Sequence, residues 1–225
     1  MTANASHGTL CEPVFTNYVA GVDGHLTVRV AREFPEALDA DLTQCWMDVA
    51  NSGGAVGFPF IPVSRHEVAE AADRLLSEIR QRDVVLVEAR LNESLVGWVT
   101  LRLNHSRLTA HWATVERLQG HPAHRGVGIG AALLMSAIQQ AREIDLEHLR
   151  LAVRSGEGLE SFYERHGWRE MGRHRNALRL KDGDDRDEVL MTLDLASADN
   201  IWRNRGVPLN RRWPRSTRPN GCMSQ

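Results

Sequence analysis

The chain has 225 residues, long enough for one well-buried domain with arms and rather short for two. A hydrophobic content of 42%, a charged content of 25% and a net charge of −2 describe an ordinary soluble globular protein, with no overall bias toward nucleic acid or an acidic partner. No run is apolar for long enough to cross a bilayer and no secretory leader opens the chain, so a cytoplasmic location is the expectation. Cys11, Cys45 and Cys222 are odd in number, widely spaced and in no CxxC pattern, which argues against a disulfide framework and against a zinc site.

Residues 1–24 are rich in Gly, Ser, Thr, Asn and Ala and read as a weakly structured arm. Leu26-Thr27-Val28-Arg29-Val30 alternates apolar and polar, as a first strand does. From Pro35 to about Ala50, Leu38, Leu42, Cys45, Trp46 and Val49 recur at helical spacing. The loop Gly53-Gly54-Ala55-Val56-Gly57-Phe58-Pro59-Phe60 is glycine-rich and aromatic at once, suited to packing closely on something else. A second helix starts at Ser64, where Ser64 and Glu67 form the capping-box pattern ahead of Val68, Leu75, Leu76 and Ile79.

Residues 84–89 and 94–101 flank the turn-like Asn92-Glu93 and predict a hairpin of central strands, followed by a third antiparallel strand from Thr109 to about Leu118. His121-Pro122-Ala123-His124-Arg125-Gly126-Val127-Gly128-Ile129-Gly130-Ala131 then reads as a strand exit, a glycine-rich turn and the first turn of a helix that runs to about Ile144. Residues 149–153 form the next strand, parallel to the one before the helix by a right-handed crossover. A short helix from Gly158 to His166, a strand from Trp168 to Gly172, a polar stretch 173–188 and a closing strand 189–195 complete the core. The tail 196–225 carries many arginines with Trp202 and Trp213, and reads as an extension, or as an arm for a partner subunit or nucleic acid. The pattern is α+β, with a mixed, mostly antiparallel sheet of six or seven strands flanked by about four helices in three layers.

Arg125-x-x-Gly128-x-Gly130 alone is only a glycine-rich turn, yet a dinucleotide fold fits poorly because two helices and three strands precede the strand that leads into it. In its context the turn resembles the Arg/Gln-x-x-Gly-x-Gly/Ala signature of the GNAT family of acetyl-CoA-dependent N-acyltransferases. Ser161-Phe162-Tyr163-Glu164-Arg165-His166-Gly167-Trp168 is similar to that family's Phe-Tyr-x-x-x-Gly-Phe segment, with Trp168 in place of the final Phe. The resemblance covers about residues 25–195. Gly53-Gly54-Ala55-Val56-Gly57-Phe58 also resembles, with one residue missing, a loop of GNAT enzymes of the tabtoxin-resistance type, which acetylate a small toxin.

The resemblance implies a V-shaped splay between the strand at 109–119 and the strand at 148–153. Acetyl-CoA would enter there as cosubstrate. Backbone N–H groups along Arg125, Gly126, Val127, Gly128, Ile129, Gly130 and Ala131 would hold its pyrophosphate, and Leu118, Gln119 and Gly120 would pair with the pantetheine amides. Tyr163 stands at the family's general-acid position; the ordinary reading is a tyrosine packed on the cofactor. Glu116, placed by strand alternation on the same face as Leu118, is the candidate base, with simple pairing to Arg117 or another arginine as the equal alternative. His111 is a second candidate base. His121 and His124 lack a third ligand, so no metal is expected.

The expected acceptor is a primary amine of a small molecule, attacked directly in a ternary complex. A protein or peptide N-acetyltransferase and a non-catalytic CoA-binding domain are the alternatives. A homodimer is compatible with the resemblance, no membrane partner is expected, and nucleic acid is not favoured.

Overall fold

The computed structural model describes residues 15–17, 24–31, 36–54, 56–58 and 60–197. An eight-stranded sheet runs through these residues: β1 (Phe15–Asn17), β2 (Leu26–Val30), β3 (Val84–Leu91), β4 (Ser94–Leu103), β5 (Trp112–Gly120), β6 (His148–Arg154), β7 (Arg169–Lys181) and β8 (Asp184–Asp194). Their spatial order is β1-β2-β3-β4-β5-β6-β8-β7, and β5 with β6 is the parallel pair among antiparallel neighbours. The helices are α1 (Glu36–Asn51), α2 (Arg65–Arg80), α3 (Ile129–Glu143) and α4 (Leu159–Arg165), with a 3₁₀ turn at Pro122–His124.

Two apolar clusters fix the layers. Leu38, Leu42, Trp46 and Val49 of α1 and Val68, Leu75, Leu76 and Ile79 of α2 pack on Val84, Leu86 and Trp98 of one sheet face. Leu133, Leu134, Ala137 and Ile138 of α3 pack on Val87, Val99, Ala113, Val115, Leu149 and Met191 of the other. Because β3 and β4 are covered on both sides, they carry continuous apolar runs rather than clean alternation.

Two expectations are corrected. Within the stretch 1–24, residues 15–17 pair with β2 and add an eighth strand, while 1–14 and the tail beyond 197 lie outside the described residues. The polar stretch 173–188 is no loop but most of a long hairpin, joined by Asp182-Gly183. Its strands extend past any helical cover, so charged residues replace the apolar face, and Arg173–Asp187 and Arg179–Asp185 ion pairs bridge the two strands.

Candidate active site

β5 and β6 pair only at Trp112↔His148, Ala113↔Leu149 and Thr114↔Arg150. Beyond Thr114 the two strands part, so β5 from Val115 to Gly120 keeps β4 on one side and, among the described residues, has no strand on the other. Backbone groups along that edge are available to an extended, amide-bearing ligand. Leu118, Gln119 and Gly120 lie on it.

The edge leads straight into the glycine turn. Gly126 and Gly128 take positive φ of 81° and 88°, and a Cβ added at either would meet nothing within 4 Å, so the backbone there faces open space. Gly128 is the N-cap of α3 with no side-chain cap, and the first helical bond is Ala132 N–H to Gly128 C=O. The N–H groups of Ile129, Gly130 and Ala131 therefore lack an intrahelical acceptor, and the helix dipole adds partial positive charge. This cradle suits a diphosphate. Arg125 Nη2 donates to Ser52 Oγ at 2.9 Å, which ties the turn to the end of α1.

Tyr163 lies on α4, beside the turn: a Cβ on Gly130 would sit 3.9 Å from Phe162 Cζ. Its ring packs edge-on against Phe162 and Trp168, and its hydroxyl has no hydrogen-bond partner among the described residues. Burial pushes the phenol well above its ordinary value, so it stays protonated at neutral pH.

Glu116 departs from the expected placement. Across β4, Trp98 pairs with Gln119 and Thr100 with Glu116, so Arg117 and Leu118 together oppose Val99 in a bulge, and Arg117 takes φ +54°. The bulge breaks alternation: Glu116 is on the α1/α2 side, whereas Leu118 packs on the α3 side. Arg102 Nε donates to both Glu116 carboxylate oxygens at 3.0 and 3.1 Å, Arg117 Nη1 donates to Oε2 at 3.1 Å, and Arg102 also grips Glu78 of α2. Arg117 lies with Cζ 5.5 Å above the Trp46 ring.

His111 belongs to the turn before β5, at the opposite end of the strand from Gly120, which removes it from the glycine turn. His121 Nδ1 accepts from Ala123 N–H at 3.2 Å, and this leaves Nε2 to donate to Asp48 Oδ2 at 3.3 Å. His121 is thereby a clamp between the turn and α1. Asp48 and Ser52, both about 73 positions upstream of their partners, carried no signal in the sequence.

On the α1 side of β5, the loop after α1 folds inward. Trp46 Nε1 donates to Val56 C=O, and Trp46 meets Phe58 at 5.4 Å and Trp98 at 5.0 Å, each edge-on. Next to this aromatic wall, the cross-strand pair Trp98 and Gln119 is buried, with Trp98 Nε1 and both Gln119 amide atoms unpartnered among the described residues. Cys45, also in this layer, is pushed up to about 12 by burial and by Asp48 and Asp41, and so remains a thiol. No group of three or more His, Cys, Asp or Glu that could hold a metal occurs among the described residues, and no helix there is long and apolar enough to cross a membrane.

The model of the acetyltransferase (GNAT) family matches residues 37–168. Among solved structures, the chain is similar to an acetyltransferase of the GNAT family from Streptococcus pneumoniae, with 19% identity, a TM-score of 0.59, and 75% of this chain and 99% of that chain covered. It is similar to the ribosomal-protein-alanine N-acetyltransferase of Brucella melitensis, with 20% identity, a TM-score of 0.62, and 74% and 98% covered. A Salmonella typhimurium protein solved with its cofactor acetyl-CoA gives 18% identity, a TM-score of 0.61, and 76% and 94% covered. No curated protein matches the chain in sequence.

Proposed function

Since the chain belongs to the GNAT family of acetyltransferases, which use acetyl-CoA, we propose that it moves the acetyl group to a primary amine of a small molecule in a ternary complex. The observation that carries this reading is the parting of β5 from β6, with a free β5 edge that ends in an uncapped, glycine-lined helix N-terminus. The pyrophosphate rests on residues 125–131 and the pantetheine amides pair along Leu118, Gln119 and Gly120, which brings the thioester toward the bulge.

The amine nitrogen attacks the thioester carbonyl, the C–S bond breaks, and Tyr163 gives its proton to the departing thiolate. Glu116, through water, takes the proton that the amine loses. A direct attack agrees with a protonated, buried Cys45, which is no nucleophile. The inward-folded loop at Val56 and Phe58, with the aromatic wall of Trp46 and Trp98, supports a compact acceptor rather than a long chain.

The test is acetyl-CoA-dependent thiol release against a panel of small amines, amino acids and amine antibiotics, beside peptides beginning with alanine. Turnover of small amines with no peptide turnover is expected. Turnover of peptides alone overturns the small-molecule reading, and a rise in melting temperature with acetyl-CoA but no turnover of either class overturns the catalytic one. For Glu116, Glu116→Gln should lower turnover least in acid and most above the wild-type acidic limb, and that limb should be lost. A variant that lowers turnover equally at every pH removes the proton-accepting role and leaves the ion pairs to Arg102 and Arg117 as its contribution.

A further inference from the structure

At the closed end of the sheet, on the face opposite α3, lies a cavity of about 320 Å³ whose lining includes Trp112, His148, Arg150, Arg169, Thr192 and Asp194. It has no part in the acetyl-CoA site. Trp112 begins β5 and Gly120 ends it, so at about 3.3 Å per residue the cavity is roughly 26 Å along the strand from the glycine turn.

Register builds this cavity. Arg150 of β6 and Arg169 of β7 both pair with Thr192 of β8, so the two arginines flank one threonine in a row across three strands, with Cα atoms about 10 Å apart at the usual strand spacing. The next row sets Trp112 beside His148 and His148 beside Asp194. Arg150 stacks with Cζ 4.0 Å over the Trp112 ring, which fixes its guanidinium plane, and His111 and His148 meet edge-on at 6.0 Å.

What sets this row apart is its lack of acid. Elsewhere on the same three strands arginines find carboxylates: Arg154 with Glu157, Arg173 with Glu170, Arg179 with Asp185, Arg186 with Asp184. Arg150 and Arg169 have no carboxylate partner among the described residues. Asp194, the one acid in the lining, uses Oδ1 to accept the N–H groups of Ala196 and Ser197. The Thr192 hydroxyl donates to Leu149 C=O, so its own oxygen neutralises nothing. Arg150 and Arg169 are both exposed on either side of Thr192, and a guanidinium fork matches a phosphate or carboxylate through paired hydrogen bonds.

We propose that this cavity is a binding site for a small polyvalent anion, a phosphate monoester or a dicarboxylate, gripped between Arg150 and Arg169 with Trp112 as its wall. The site is separate from the CoA pyrophosphate cradle and does not depend on the acceptor.

The experiment uses the whole chain saturated with CoA, so that the glycine turn is already filled. Inorganic phosphate and, in a parallel arm, succinate are titrated by calorimetry while the indole N–H resonance of Trp112, identified by its loss in Trp112→Phe, is followed by NMR. Saturable binding of either anion with a shift of the Trp112 resonance is expected, and the tighter of the two identifies the anion class. The double variant Arg150→Gln, Arg169→Gln should weaken that binding at least tenfold while its melting curve and its melting-temperature rise with CoA stay as in the wild type. Non-saturating titrations for both anions, an unmoved Trp112 resonance, or equal affinity in the double variant overturns the proposal.

Discussion

The two halves of the sheet obey different rules. From β2 to β5 the strands lie between α1/α2 on one face and α3 on the other, and even a charged residue there is enclosed: Glu88 is 2% exposed and is held by Arg29 and Arg90. From β6 to β7 helices cover a single face, so Leu149, Leu151 and Val153 point inward while Arg150 and Ala152 face outward in strict alternation. The splay lies at the seam between these halves. There the double cover ends and a strand edge can stay open without unravelling the sheet, because β4 still holds β5 from the other side. The fold thus places its binding edge where one set of packing rules gives way to another.

The sharpest way to break the seam is Gly128→Val. The position has φ +88° with no neighbour within 4 Å of a Cβ, so a branched side chain is strained there and fills the space proposed for the pyrophosphate. The acetyl-CoA-induced rise in melting temperature should disappear altogether. A variant with the wild-type rise would remove residues 125–131 from the cradle.

A second comparison weighs the halves directly. Trp98 of β4 is fully buried against α1, and Trp98→Ala should destabilise the fold by about 3–5 kcal/mol. Met171, on the singly covered half, is 52% exposed, and Met171→Ala should change stability by less than about 0.5 kcal/mol. Chemical denaturation of both variants measures the contrast, and similar losses would mean that the open face of β6–β8–β7 is covered in solution.

Legibility followed the same division. The doubly covered strands, the helices with their apolar stripes and the glycine turn were readable because each leaves a local period or a local backbone demand. The Arg173–Glu188 ribbon was not: its strands pack on nothing apolar, so polarity alone suggested a loop. Glu116 was assigned its face by alternation, which a bulge at Arg117 interrupts without any glycine or proline to mark it. Nor could the clamps His121–Asp48 and Arg125–Ser52 be read, since they join segments that only the closed fold brings together.

Tyr163 lies under the seam, and its role is separable from its packing. Tyr163→Phe keeps the ring contacts with Phe162 and Trp168 and removes the hydroxyl proton. Turnover should fall about a hundredfold, the lower range for loss of a positioned acid, with the acetyl-CoA melting shift unchanged. Steady-state thiol release gives the first quantity and a thermal melt the second. Unchanged turnover would leave Tyr163 as packing alone.

The smallest effect separates a structural helix end from a functional one. At the start of α2, Ser64 Oγ accepts the N–H of Glu67 and the Glu67 carboxylate accepts the N–H of Ser64, so this end is closed by its own side chains. At the start of α3, Gly128 offers no side chain and the N–H groups stay open to a ligand. Ser64→Ala should cost about 1 kcal/mol in denaturant unfolding and leave acetyl-CoA binding as it was, since α2 covers the sheet far from the turn. The hydrogen bonds from the Ser64 side chain and backbone hold the Glu67 carboxyl below its ordinary value, so the stability they add is present above the ordinary carboxylate range and fades as pH falls through the lowered value. The difference between wild type and Ser64→Ala should therefore be largest near neutral pH and shrink in acid. A difference that stays constant with pH would mean that Glu67 contributes nothing through its charge.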